Sequence, residues 1–156
     1  MILDQRLELC SATSLNTGAA GTYLIGSQID LGSIGRDIGN GEELYLVILV
    51  TTGITVASTT GTVSFSLASD STASVSTTTS TVHLTTASFA TSTTAIAAGT
   101  VLYAGPVPLE PSGGYEQFLG LLQTTGSVAI NAGAIDAFLT KDVAKWKAYA
   151  DNASIE

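Results

Sequence analysis

Between Asp37 and Thr140 the chain has no Lys or Arg, and this feature narrows its possible folds the most. Charged residues are 12% of the chain against a usual share of about 25%, so the surface has to be built from short polar side chains. Ser and Thr fill that role, supplying roughly a quarter of the residues. Branching at Cβ makes Thr, like Val, fit a pleated strand better than a helical turn. Hydrophobic residues stand at 45%, an ordinary share, so a core can form and wholesale disorder is excluded. The expectation is an all-β protein with a Ser/Thr surface.

The order of apolar residues agrees. Leu44 to Val50 is a continuous apolar run between Gly41 and Gly53, which suits a strand buried on both faces. In "GTVSFSLAS", Val63, Phe65 and Leu67 alternate with Thr62, Ser64 and Ser66, the pattern of a strand with one wet face. "STVHLTT" repeats the pattern with Val82 and Leu84 on one face and His83 on the other. Further strands are expected at Thr100 to Ala104, Tyr115 to Thr125 and Gly133 to Val143, separated by the turn signals "GNG", "TTG", "GPVPLEPSGG" and "TTGS". Many short strands at such spacing predict a jelly-roll-type β-sandwich. At 156 residues the chain suits one domain spanning 1–156, with residues 1–20 read as an N-terminal arm and 144–156 as a C-terminal tail. The tail is open between a short helix and an extended arm. "ASDSTASVSTTTSTVHLTTASFATSTTA" is read as strands and surface loops in preference to a flexible linker, because Val75, Val82, Leu84 and Phe89 punctuate it.

Charge excludes whole classes of partner. A net charge of −8, with the five cations confined to the two ends of the chain, cannot displace counterions from phosphate, so no nucleic acid and no anionic membrane is expected as a partner. No apolar run approaches the ~20 residues of a membrane-spanning helix. "MILDQRLELC" places Asp4, Arg6 and Glu8 where a signal peptide would be apolar, so synthesis in a cytoplasm is expected. The single Cys10 rules out an intrachain disulfide and reads as a small, partly buried side chain.

Catalytic patterns are weak. The glycines of "LGSIGRDIGNGEELYLVILV" precede a strand, whereas a phosphate-binding loop follows one and opens a helix. Glu42 and Glu43 stand where a P-loop needs Lys and Ser or Thr, so the stretch reads as a turn into a sheet. Arg36 and Asp37 within it are free to pair locally or across an interface. His83 is the sole histidine; no nucleophile elbow accompanies it, and a solvent-facing or interface position is the expectation. One Cys and one His cannot form a structural zinc site, and no calcium-loop spacing occurs, so no catalytic residue, metal or cofactor is assigned. The sole Trp, Trp146, sits between Lys145 and Lys147. It suits an anchor on a neighbouring chain or a helix capping its own sandwich.

Three segments carry a resemblance. "MILDQRLELC" opens with Ile-Leu-Asp-x-x-Leu. "IDLGSIGRDIGNGEELYLVILV" contains Asp-Leu-Gly, Arg-Asp-Ile-Gly, Gly-Glu and Leu-Tyr. "INAGAIDAFLTKDV" closes with Ala-Gly and Ala-Phe-Leu-x-Lys-Asp-Val. In this order they resemble the capsid cement (decoration) proteins of short-tailed bacteriophages, over Ile2 to Leu9, Asp30 to Tyr45 and Ala132 to Val143. The Ser/Thr-rich centre, about residues 52 to 112, matches only in being strand-like. The resemblance implies a non-enzymatic virion protein, a jelly-roll homotrimer on the outer capsid surface that bridges subunits of the phage major capsid protein and stabilises the head. The alternative is a carbohydrate-binding β-sandwich module on a phage surface. A surface of short side chains loses little rotamer entropy when a partner covers it, in agreement with either reading. The expected contact residues are Leu3, Asp4, Arg6 and Leu7 of the arm, Arg36 and Asp37, and Trp146 and Tyr149 of the tail. Leu3 and Leu7 serve equally well to close the protein's own sheet edge.

Overall fold

A row of apolar residues on one face of a strand requires cover, and the chain supplies it by packing two sheets face to face. The computed structural model describes residues 5–33, 38, 42–56, 60–91, 95–109 and 114–144. A 3-10 turn at Gln5–Leu7 leads into β1 (Glu8–Ser14) and β2 (Gly21–Asp30). Then follow β3 (Tyr45–Val56), β4 (Thr62–Asp70), β5 (Thr81–Thr85) and β6 (Phe89–Ala90). The described fold closes with β7 (Val101–Pro106), β8 (Phe118–Gly126) and β9 (Ile130–Thr140). One sheet has the order β1-β9-β3-β7 and the other β2-β8-β4-β5, with β6 also on β4; every pairing is antiparallel. The chain changes sheet at every step except β4 to β5 to β6. This interleaving of early and late strands in both sheets is jelly-roll wrapping, as the sequence predicted.

The core lies between the sheets. Leu46, Ile48 and Val50 of β3 enter it fully buried, and Val47 is buried on the opposite face, as the continuous apolar run required. Val63, Phe65 and Leu67 of β4 meet them from the second sheet. Burial of a side chain such as Phe65 contributes about 1.5–3 kcal/mol. A smaller apolar cluster sits apart: Ala68, Val75 and Leu122, with Leu24 and Phe118 packed on them. Val75 belongs to the Ser/Thr-rich connection after β4, and its N–H donates to Gln28 Oε1 at 2.8 Å. That connection begins on Asp70, whose carboxylate accepts from the Thr72 N–H, the Thr72 hydroxyl and the Ser76 N–H, each at 3.0 Å. The centre of the low-complexity stretch is thus ordered structure, not a linker.

Besides the two-residue β6, two strands escaped the sequence reading. β1 occupies residues 8–14 of the span read as an arm and pairs with β9. β2 was hidden because its register against β8 slips between Ile25 and Ile29. Gly26 stands at the slip with φ of 71°, where a Cβ would collide with the Leu9 carbonyl oxygen. Only glycine tolerates both that backbone angle and that approach, so Gly26 is where the edges of the two sheets touch. Cys10 is buried there, its thiol pushed up to about 12 by burial, and it behaves as a small apolar side chain. The strand expected from Tyr115 begins instead at Phe118, because the Glu116 N–H is taken by Ser69 Oγ at 2.9 Å and leaves the ladder.

Candidate functional site

The two ends of the sandwich differ in chemistry. Glu8 lies opposite Phe138, Tyr45 opposite Thr140 and Pro106, and Asp30 and Asp70 opposite Phe118. All these positions share one end, since β8 and β9 are joined at the other by only residues 127–129. Among the described residues, every charged side chain except Asp136 belongs to that first end. Asp136 sits mid-strand in β9 and accepts the Ala12 N–H at 2.6 Å. The connecting segments of the far end, residues 15–20, 57–61, 91–100 and 127–129, contain no Asp, Glu, Lys or Arg in their sequence.

The charged end carries a groove of about 630 Å³ between the 3-10 turn with β1 and the slipped part of β2. Gln5, Arg6, Glu8, Leu9 and Ser11 form one wall, and Ser27, Gln28, Ile29 and Asp30 the other. The slip at Gly26 opens it by turning β2 away from the sheet edge. Its polar lining suits an extended peptide segment better than an apolar small molecule. Of the expected contact residues, Arg6 is exposed on this groove, whereas Leu7 is half-buried and packs on the protein's own core. Leu3, Asp4, Arg36, Asp37, Trp146 and Tyr149 lie outside the described residues. The segments that hold them nevertheless leave the described strands at the charged end, before β1, between β2 and β3, and after β9. Nearby, Lys141 forms an exposed ion pair with Glu42, open to screening by solvent and salt.

His83 departs from its expected position. The register of β5 on β4 steps from Leu84 opposite Leu67 to Val82 opposite Ala68, so His83 is the extra residue of a bulge. Alternation breaks there: Val82 is 52% exposed and Leu84 packs on the core. The imidazole turns inward, with Nε2 2.6 Å from Ser69 Oγ and its ring 4.2 Å from the Tyr115 ring. Burial lowers its pKa below the ordinary value of 6.5, and the Glu116 carboxylate pulls weakly the other way. A serine beside a histidine is the beginning of a nucleophile. Ser69, however, is fully buried and already accepts the Glu116 N–H, so a substrate carbonyl has no approach to it. Ser69, Tyr115 and Glu116 could not be picked from the sequence, since their separations from one another follow no local motif. No group of three or more metal-ligating side chains occurs among the described residues.

The fold defines the class: an antiparallel β-sandwich whose described charged side chains, Asp136 apart, gather at one end. The sequence places it more narrowly: residues 11–139 match the Bbp16 family, and the chain belongs to that family. No curated protein matches it.

Proposed function

We propose that this chain is a non-enzymatic virion structural protein, a homotrimeric capsid cement that sits on the outer surface of a phage head, bridges major capsid subunits and is made in the bacterial cytoplasm. The observation that carries this reading is the convergence at one end. The arm, the β2–β3 connection and the start of the tail all emerge there, beside the groove and with nearly all the described charge. Opposite charges across such a contact fix orientation and speed encounter. Many copies on a lattice add avidity to individually modest contacts, and a ligand that binds only the intact shell disfavours its rupture. The three resembling segments support the same reading, and the Bbp16 match supports the phage origin it needs.

Co-sedimentation tests it. Purified protein mixed with empty major-capsid-protein shells assembled without it should pellet with the shells and saturate at a fixed ratio to capsid subunits. Failure to pellet, together with retention on a glycan array, would replace the cement reading with the carbohydrate-binding one.

A further inference from the structure

The groove at the charged end lies between two sheet edges. β1 is the last strand of one sheet and β2 the last strand of the other. An edge strand presents backbone N–H and C=O groups on which a further strand can pair. The groove's floor is apolar, with Leu9 buried and Ile29 packed on the core, whereas its walls carry Glu8 on one side and Asp30 on the other. After Ala144 the sequence continues as "KWKAYA", Lys145 to Ala150. As a strand this segment alternates: Trp146, Ala148 and Ala150 fall on one side, Lys145, Lys147 and Tyr149 on the other. The first side suits the apolar floor, and the two long-stemmed lysines match the two acids of the walls.

We propose that residues 145–150 of this chain fold back into its own groove as a short strand beside β2, with Trp146 over Leu9 and Ile29 and the two lysines against Glu8 and Asp30. The path is short. β9 ends at the charged end and packs there on the 3-10 turn, which supplies Gln5 and Arg6 to the groove. The chain bends at Lys141, which Glu42 holds in place, and turns at Val143 and Ala144. A strand laid on the far side of β1 is two strand spacings from β9, about 10 Å. Residues 142–145 can span up to about 13 Å. A chain that reverses at this end runs antiparallel to β2, because β2 and β9 both finish there. The proposal holds whether or not the protein is a cement. Its consequence is that the filled groove covers both sheet edges, so free copies do not join edge to edge before they meet a partner.

The sole tryptophan makes the test direct. In the full chain, acrylamide should quench Trp146 fluorescence several-fold less than in the same protein unfolded in urea. Lys145→Glu with Lys147→Glu changes only the tail, so the sandwich still folds, and quenching should rise toward the unfolded level. Position is read by nuclear magnetic resonance. A nitroxide on Ser27→Cys, in the groove wall, should broaden the single indole N–H resonance, while Cys10 is buried away from the label. When spin-labelled chains are refolded together with an excess of isotope-labelled chains that carry no nitroxide, the indole resonance of the latter should stay sharp. An exposed Trp146, protection unchanged by the two lysine substitutions, or an indole resonance indifferent to the nitroxide overturns the proposal. Broadening between chains as strong as within one overturns it too, since the tail then occupies a neighbour's groove.

Discussion

Gln123 is the residue whose single side chain fixes the β1–β2 loop at Asn16. It is fully buried in β8, yet its amide closes on the backbone of Asn16, accepting the N–H at 2.8 Å and donating to the C=O at 3.0 Å. A second donation goes to Thr125 Oγ1 at 2.8 Å. Gln123→Leu leaves those groups without partners and should cost about 1–3 kcal/mol, read as a lower urea midpoint with an unchanged slope. Asp70 gives a pH prediction. The Thr72 and Ser76 amides hold its carboxyl below the usual carboxylate range, with Thr72 the larger cause. A depressed acid stabilises the fold above its unfolded value and loses that contribution as pH falls through its folded value. Asp70→Asn should therefore be less stable than wild type at neutral pH, with the gap closing below about pH 4, as urea titrations at both pH values would show. Neither role was legible in the sequence, because both depend on partners brought together by the sandwich. Cys10 was legible, since a lone thiol without a basic neighbour has only packing to offer.

At the scale of elements, the strands with strict alternation or an unbroken apolar run were readable: β3 and β4 follow from their side-chain order, while β9, expected at 133–143, lies three residues earlier at Ile130–Thr140. β2 was not, because the slip at Gly26 interrupts its period, and β5 was read in the wrong phase after the bulge at His83. Both irregularities belong to edge strands, where a ladder can afford an extra residue. Gly26→Ala tests the importance of the slip. The new methyl would meet the Leu9 carbonyl at a backbone angle that disfavours side chains, so β2 must part from β1. We expect a loss of about 1–3 kcal/mol in urea unfolding and faster hydrogen exchange at the β1 and β2 amides, with β3 and β4 unaffected.

For the whole molecule, the sequence yielded the jelly roll and the poverty of charge, but not the segregation of charge, which exists only once the strands are ordered. The polarity predicts how binding responds to salt. If the charged end grips the shell, affinity should fall as ionic strength rises from about 0.05 to 0.5 M, and Arg6→Glu should slow association more than it speeds release. Light scattering at micromolar concentration should give about three times the 15.8 kDa chain mass, the trimer expected of a cement. The most direct measurement is the heat-induced rupture of empty major-capsid-protein shells, followed by light scattering with and without this protein at saturation. Rupture at a higher temperature, with the gain rising to a plateau as protein is added, is the predicted result. An unchanged rupture temperature at saturating protein would contradict the cement role.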